Sequence, residues 1–305
     1  MELQGLHHIT MITGHAQRTV DFYADTLGLR LVKQTVNFDA PEAYHLYFGD
    51  ETGTPGTILT WFEFVGAAPG VAGAGMIHRI ELAVPTTQSL DFWAERLSHH
   101  GRPVTQDAHA LRFTDPDGLA FELVPTGSGQ PELRAGHPEV PSEHAIVGIA
   151  GTRTFGDPAR SNAILTRTLG FAADGDGDYG LTGAGGLRDV HYRLDPAPPE
   201  PGRLGAGTVH HIAWASRDED HLAWQDRART SGAHVTEVRD RDYFRSVYFR
   251  EPGGVLFEIA TLSPGFAVDE DPQHLGESLR LPRMHQHLRA QLEQTLTPLS
   301  NPRTR

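Results

Sequence analysis

The chain has 18 histidines and no cysteine. Any metal it binds must therefore be held by imidazole and carboxylate, a donor set that suits iron, manganese, zinc, nickel or cobalt better than soft-metal chemistry. Three such donors, His8, His211 and Glu258, occupy equivalent places in a pattern that the sequence repeats. Two neutral imidazoles and one ionised carboxylate need no special pKa shift to bind a divalent ion at neutral pH. On one side of that ion they leave open positions for substrate and oxygen. The lack of cysteine also excludes disulfides, thiolate metal sites and a cysteine nucleophile.

The repeat is what singles these three out. Four segments begin alike, at Leu6–Ile12, Ile77–Ala83, Glu143–Ile149 and Val209–Ala215. Each reads as a short apolar strand leading into a helix. The first helix carries Val20, Phe22, Tyr23 and Leu27 as an apolar stripe and stops at Gly28. The second is expected to be capped by Thr86, to carry Leu90, Phe92, Trp93 and Leu97, and to end near Gly101. Asp157-Pro158 predicts an N-cap followed by proline at the first helical position. Ser216-Arg217-Asp218-Glu219 has the spacing of a capping box. Several strand-like runs follow each helix, and the hairpins 113–124 and 249–260 match each other. The strand position of His8 is filled by Arg79, Ala145 and His211 in the later units, and the last-strand acid is Glu122 in the second and Glu258 in the fourth. The first unit has apolar or hydroxyl residues there, from Gly56 to Phe62, and the third has no obvious acid. Only units one and four together supply two imidazoles and a carboxylate. A lone strand histidine would read as a packed residue; three donors missing wherever the repeat is degenerate read as a metal site.

These elements predict an α+β protein of four βαβββ modules. The first pair spans 1–126 (modules 1–65 and 75–126) and the second 143–264 (modules 143–195 and 208–264). The Gly/Pro/Ser-rich stretch 127–142 is the linker between them. A tail follows at 265–305, with a surface helix expected after Pro282 on Leu288, Leu292 and Leu296.

Strand alternation places Thr10 on the face of His8 and Ala213 on that of His211. His7 and His210 point the other way unless a bulge intervenes. Tyr248 and Glu258 lie on two arms of one hairpin, and an odd-length turn would set them side by side, an even one apart. His45, His109, His191, His221 and His234 have no partner of matching position, His99-His100 sits at a helix end, and His285 and His287 do not share a helix face. The run 183–186 is glycine-rich but lacks the Lys-Ser or Lys-Thr of a phosphate loop.

The chain has 39 acidic and 26 basic residues, a formal net charge of −13. That balance opposes nucleic acid or an anionic membrane surface as a partner. No apolar run approaches a membrane span, and the start MELQGLHHIT lacks the character of a signal peptide. A cytoplasmic protein is expected, with a homodimer as the default assembly.

The segments GLHHITMITG, DFYADTLGLRLVKQTVNFD, HHIAWA, RDYFRSVYFREPGGVLFEIAT and GFAVDEDPQHLGESLRLP resemble those of the vicinal oxygen chelate (glyoxalase/bleomycin resistance/dioxygenase) superfamily. Within it they are similar to the ring-cleaving para-hydroquinone dioxygenases of the dichlorohydroquinone 1,2-dioxygenase kind. The resemblance spans almost the whole chain and departs after Pro282, at Arg283-Met284-His285. It implies modules paired into two curled sheets, open barrels, with the metal between modules one and four. It implies Fe(II), with Mn(II) as the other candidate, on His8, His211 and Glu258, and O2 as co-substrate in opening a small hydroxylated aromatic ring. It places His7, Thr10, His210, Arg241 and Tyr248 around the metal, with Tyr248, Arg241 and one of the paired histidines donating protons or stabilising charge. The rivals are a glyoxalase-like metal-dependent lyase or isomerase, for which a fourth protein ligand is wanting, and a non-catalytic quinone- or drug-binding resistance protein, which needs no such triad.

Overall fold

The computed structural model describes residues 1–305 apart from Ser128 and Arg305. The strands of module one are β1 (Gly5–Thr13), β2 (Arg30–Val36), β3 (Tyr44–Gly49) and β4 (Ile58–Glu63). Those of module two are β5 (Met76–Val84), β6 (Thr105–Gln106), β7 (Leu111–Thr114) and β8 (Ala120–Pro125). Module three has β9 (Ile149–Phe155), β10 (Ala172–Ala173), β11 (Asp178–Leu181) and β12 (Val190–Asp195). Module four has β13 (Thr208–Ser216), β14 (Arg239–Asp240), β15 (Arg245–Arg250) and β16 (Leu256–Thr261). Their helices are α1 (Ala16–Val20), α2 (Gln88–His99), α3 (Pro158–Ala163) and α4 (His221–Thr230), with α5 (Arg289–Thr295) in the tail. No helix among the described residues is long and apolar enough to cross a membrane.

The strands form two 8-stranded sheets, ordered β14-β15-β16-β13-β1-β4-β3-β2 and β10-β11-β12-β9-β5-β8-β7-β6. The first joins module four to module one, and the second module three to module two. Each sheet therefore draws strands from both contiguous halves of the chain, 1–126 and 143–264. At the centre of each, two opening strands run antiparallel, β1 with β13 and β5 with β9, and each is flanked by the last strand of its own module running parallel. Both sheets thus have an approximate two-fold axis between their middle strands.

One hydrophobic cluster runs through both sheets and the helices. The predicted stripe Val20, Phe22, Tyr23 and Leu27 is buried in it, as are Leu90, Trp93 and Leu97 of α2. α1 widens into a π-helical turn over Asp21–Thr26 before the chain turns at Gly28. Asp157 caps α3 by accepting a hydrogen bond from the Ala159 N–H at 2.9 Å, with Pro158 in the first turn. Two other expected caps differ. Thr87, not Thr86, precedes α2, and the Thr86 hydroxyl meets that of Ser89 at 3.3 Å. Ser216 is no capping-box residue: it ends β13, paired with Thr261, while Asp218 binds Ser263 and the helix starts at His221.

Module three also opens later than its sequence suggests. His144 and Ala145 turn back onto the Pro141 carbonyl at 2.9 and 3.1 Å, so the strand starts at Ile149 and not at Glu143. Gly148 precedes it with φ 128°, matching Gly5 with φ 136° at the head of β1. Only glycine takes such angles without strain. This match makes Gly151, not Ala145, the counterpart of His8. The second sheet thus carries Gly151 and Arg79 where the first carries His8 and His211. Its acids are already neutralised: Glu122 pairs with Arg79 at 2.9 Å and Arg112 at 3.0 Å, and Glu81 with His191 and Arg193.

Tyr23 ties module one to the module-two hairpin by donating to buried Asp115 at 3.0 Å. Burial pushes the Asp115 carboxyl up from 3.8 to about 6, against the hydrogen bonds it accepts from Leu119 and Tyr23. Its folded pKa lies above its unfolded one, so its contribution to stability is full below pH ~4 and falls away as pH rises to about 6. Asn at this position would still accept from the backbone N–H groups of Asp117 and Leu119 and would offer an N–H to the Tyr23 oxygen. Asp115→Asn is therefore expected to stabilise the fold by roughly 2 kcal/mol at pH 7.5 and by little at pH 4. Thermal melts at the two pH values check this, and an equal effect at both would contradict it.

The tail straps the outer strands of module one. Lys33 of β2 is fully buried and pairs with Asp269 at 2.6 Å and with Glu270. His285 donates from Nε2 to the Phe38 carbonyl at 2.9 Å. The helix expected after Pro282 begins as a 3-10 turn over Arg283–Leu288, and only then does α5 form, burying Leu292 and Leu296.

Candidate metal centre

His8 and His211 lie on the two middle strands of the first sheet and Glu258 on β16 beside them. Across β1, β13 and β16, His8, Ala213 and Glu258 form one row, and Thr10 faces His211 in the next. The curl of the sheet brings the three donors together. His8 Nε2 and His211 Nε2 are 3.3 Å apart, and Glu258 Oε2 lies 3.3 Å from the first and 2.9 Å from the second. Ligands about 2.1 Å from one ion and near a right angle to each other are about 3 Å apart. All three side chains are buried. The other carboxylate oxygen accepts from Ser246, whereas Oε2 has no donor in hydrogen-bond geometry. A buried carboxylate oxygen facing two imidazole nitrogens without a proton between them fits a cation.

The paired histidines explain why those nitrogens are bare. β1 is bulged at His7 and β13 at His210, so each side chain swings to its neighbour instead of to the opposite face. His7 Nε2 lies 3.1 Å from the Thr261 carbonyl, which can only accept. Burial pushes His7 down to about 3, so the ring is neutral and its Nδ1 carries no proton. The 2.9 Å contact between the Nδ1 atoms of His7 and His8 then requires His8 Nδ1 to donate, which leaves His8 Nε2 as a lone pair aimed at the site. His210 meets His211 the same way, Nδ1 to Nδ1 at 2.7 Å. Both nitrogens of His7 are thus engaged, while His210 Nε2 has no hydrogen-bond partner among the described residues. Removing such a lock typically costs ten- to a hundredfold in metal affinity. His7→Ala is expected to weaken divalent-metal binding by about that much with the fold intact, and competition with a chelator would measure it. Unchanged affinity would remove His7 from this role.

The triad opens into a cavity also lined by Phe38, His45, Tyr47, Phe62, Arg241 and Tyr248. Five residues, 251–255, lie between the last paired residues of β15 and β16, so Tyr248 faces Glu258 on the same row. Burial and the Glu258 charge push the Tyr248 hydroxyl up, and Arg241 donates to its oxygen at 3.4 Å. Arg241 in turn pairs with Asp39 at 2.9 Å. The cavity is open to one side and leaves about 300 Å³ of space between its walls. At its rim Asp39 is exposed and Phe62, Arg241 and Tyr248 are partly exposed.

His45 has no partner in the repeat pattern, yet it stands in this wall with Tyr47 and beside Thr60. The approximate two-fold axis explains the omission. Thr60 pairs with Thr10 on β4 as Glu258 pairs with Ala213 on β16, and Tyr47 faces Thr60 as Tyr248 faces Glu258. The recurrence of His45-x-Tyr47 as Ser246-x-Tyr248 is the sequence signal that could have found them. Where a fourth protein ligand could stand, the chain has a hydroxyl already bonded to Thr10 and His45, each at 2.9 Å.

A profile of the Glyoxalase/Bleomycin resistance protein/Dioxygenase superfamily matches residues 5–123 and 149–259. The chain belongs to this superfamily. It is 45% identical over 302 residues to the Bacillus subtilis (strain 168) protein MhqO, whose name is that of a ring-cleaving dioxygenase, with 96% of each chain covered. It is 35% identical over 312 residues to the chlorohydroquinone/hydroquinone 1,2-dioxygenase of Sphingobium indicum, again covering 96% of each. A crystal structure titled as a dioxygenase of Bacillus subtilis superposes with a TM-score of 0.89 at 42% identity, covering 98% of both chains. Maize glyoxalase I shares the fold, with a TM-score of 0.60 at 17% identity over 84% of this chain and 92% of its own. With relatives of this name over nearly its full length, the chain is a dioxygenase of the superfamily.

Proposed function

We propose that this dioxygenase uses Fe(II) held by His8, His211 and Glu258 to open a hydroquinone-type aromatic ring, adding both atoms of O2 to the product. The observation that carries the reading is the three-donor face with Thr60 at the fourth corner. Two imidazoles and one carboxylate leave room for both a ring oxygen and dioxygen, whereas the lyase reading wants a fourth protein ligand there. The names of the full-length relatives, one of them a hydroquinone dioxygenase, support the ring class. Bound in this site, Fe(II) supplies a Lewis acid that makes a ring hydroxyl more acidic and the redox partner that dioxygen needs.

The chain's own residues supply the rest. Phe38, Phe62 and Phe244 give the ring apolar walls. Tyr248 is a neutral hydroxyl whose oxygen already accepts from Arg241, so its proton is free for an oxygen of the ring. Arg241 holds a fixed positive charge beside it that can balance negative charge growing on the opening ring. His7 and His210 orient the ligand imidazoles.

The protein should be loaded anaerobically with Fe(II), or with Mn(II) in parallel, and its oxygen uptake followed with a panel of hydroquinones and catechols. Uptake with a ring-opened product, supported by Fe(II) and absent from His211→Ala, is the expected result. No uptake with any ring, together with tight Zn(II) or Ni(II) binding, would overturn the reading in favour of a lyase.

A further inference from the structure

Four buried polar side chains on the Glu258-free half of the sheet form an unbroken chain. The Tyr47 hydroxyl lies 2.9 Å from His45 Nδ1, His45 Nε2 lies 2.9 Å from the Thr60 hydroxyl, and that hydroxyl lies 2.9 Å from the one on Thr10. Two members, His45 and Tyr47, line the same cavity as His8, His211 and Glu258. The chain is uncharged: burial holds the His45 imidazole well below its usual range and the Tyr47 hydroxyl well above its own.

Counting protons shows what such a chain can do. Three hydroxyls and one neutral imidazole carry four protons, and the three internal hydrogen bonds use three. The spare proton sits at one end. If Thr10 donates to Thr60, Thr60 to His45 and His45 to Tyr47, the Tyr47 O–H is free to donate into the cavity. If every bond reverses, Tyr47 donates to His45 and its oxygen is free to accept. One neutral wall can thus bind either a hydroxyl or a carbonyl oxygen without a change in net charge. The symmetry-related wall cannot do this, because there the Glu258 carboxylate only accepts and Arg241 only donates.

We propose that Tyr47, backed by His45 and Thr60, receives the ring hydroxyl that lies across the ring from the one facing the metal, and so selects para-dihydroxy rings over monohydroxy ones. The choice of ring rests on the ring-cleavage reading; the hydrogen-bond chain does not. Tyr47 touches the ring, while His45 and Thr60 act through it as positioning residues.

The test is anaerobic calorimetric titration of the Fe(II)-loaded protein with hydroquinone and with phenol. One buried hydrogen bond amounts to about a five- to tenfold preference. The wild type is expected to favour hydroquinone by that factor. Tyr47→Phe should remove the preference while leaving phenol affinity within about twofold, Thr60→Val, which leaves His45 Nε2 without its partner, should reduce it, and Thr60→Ser should restore it. Thermal melts confirm that each variant is folded. A preference that survives both variants, equal weakening of both rings, or a wild type without preference would overturn the proposal. Oxygen uptake is read separately on the same samples. A Tyr47-dependent preference without uptake would leave this inference standing and remove the dioxygenase reading on these rings; uptake with an unaltered preference in the variants would do the reverse.

Discussion

Glu258→Gln should lose tight divalent-metal binding while keeping the shape of the site. Glutamine fills the same space, and its carbonyl oxygen can still accept from Ser246. What disappears is the charge on an oxygen that faces His8 and His211 at 3.3 and 2.9 Å with no proton donor of its own. A divalent ion in a buried site depends on that charge more than on any neutral donor, because little else near it offsets two positive charges. An affinity loss of more than a hundredfold is expected, at or beyond the upper end for groups that merely orient ligands. Ligand linkage makes this visible in melts. Metal at a thousand times its Kd stabilises the wild type by about 4 kcal/mol, and a hundredfold weaker site forfeits about 2.7 kcal/mol of it. The metal-induced rise in Tm should therefore be large in the wild type and mostly gone in the variant. A variant that kept the full rise would show that the ion sits elsewhere.

Tyr248→Phe should separate chemistry from metal binding. Among the described residues the hydroxyl makes no hydrogen bond to His8, His211 or Glu258, and the ring that remains would still meet the edge of His211 at 5.8 Å, so metal content should match the wild type. Burial and the Glu258 charge, offset by Arg241, keep the hydroxyl protonated across the working pH range. Its oxygen is occupied by Arg241, which points its proton toward whatever lies in the cavity. Positioned proton donors contribute about 10²–10⁴ in rate, and a fall in kcat of about a hundredfold or more is expected. Steady-state rates normalised to bound metal measure it. A rate within twofold of wild type would leave Tyr248 as a wall residue only.

Much of this site can be read from the residues, because a repeat lets the chain be compared with itself. Units that keep His8, His211 and Glu258 stand out against those carrying Arg79 and Glu122, and the structure brings the first set together. What could not be read depends on backbone detail that no side chain announces. The bulges at His7 and His210 turn two histidines from the far face to the ligand imidazoles. The five-residue turn at 251–255 sets Tyr248 beside Glu258. In module three Glu143-His144-Ala145 imitates a strand start, whereas a glycine of positive φ marks the real one. His45 does not stand out in the repeat because its counterpart is a serine, Ser246: the two-fold relation keeps place, not residue type.

The sheet order also governs when the site can exist. His8 and His211 are 203 residues apart, and their sheet closes only when the last module meets the first. The second sheet, built from modules two and three, lies wholly between them in sequence. A chain emerging from the ribosome can complete this inner sheet from neighbouring segments, at the lower loop-closure cost. Module one must meanwhile wait with the β1 edge unpaired until β13 and β16 arrive. Metal capture therefore waits for the last module: nascent chains arrested before Glu258 is exposed should take up no metal at this site, and chains that have released module four should gain it.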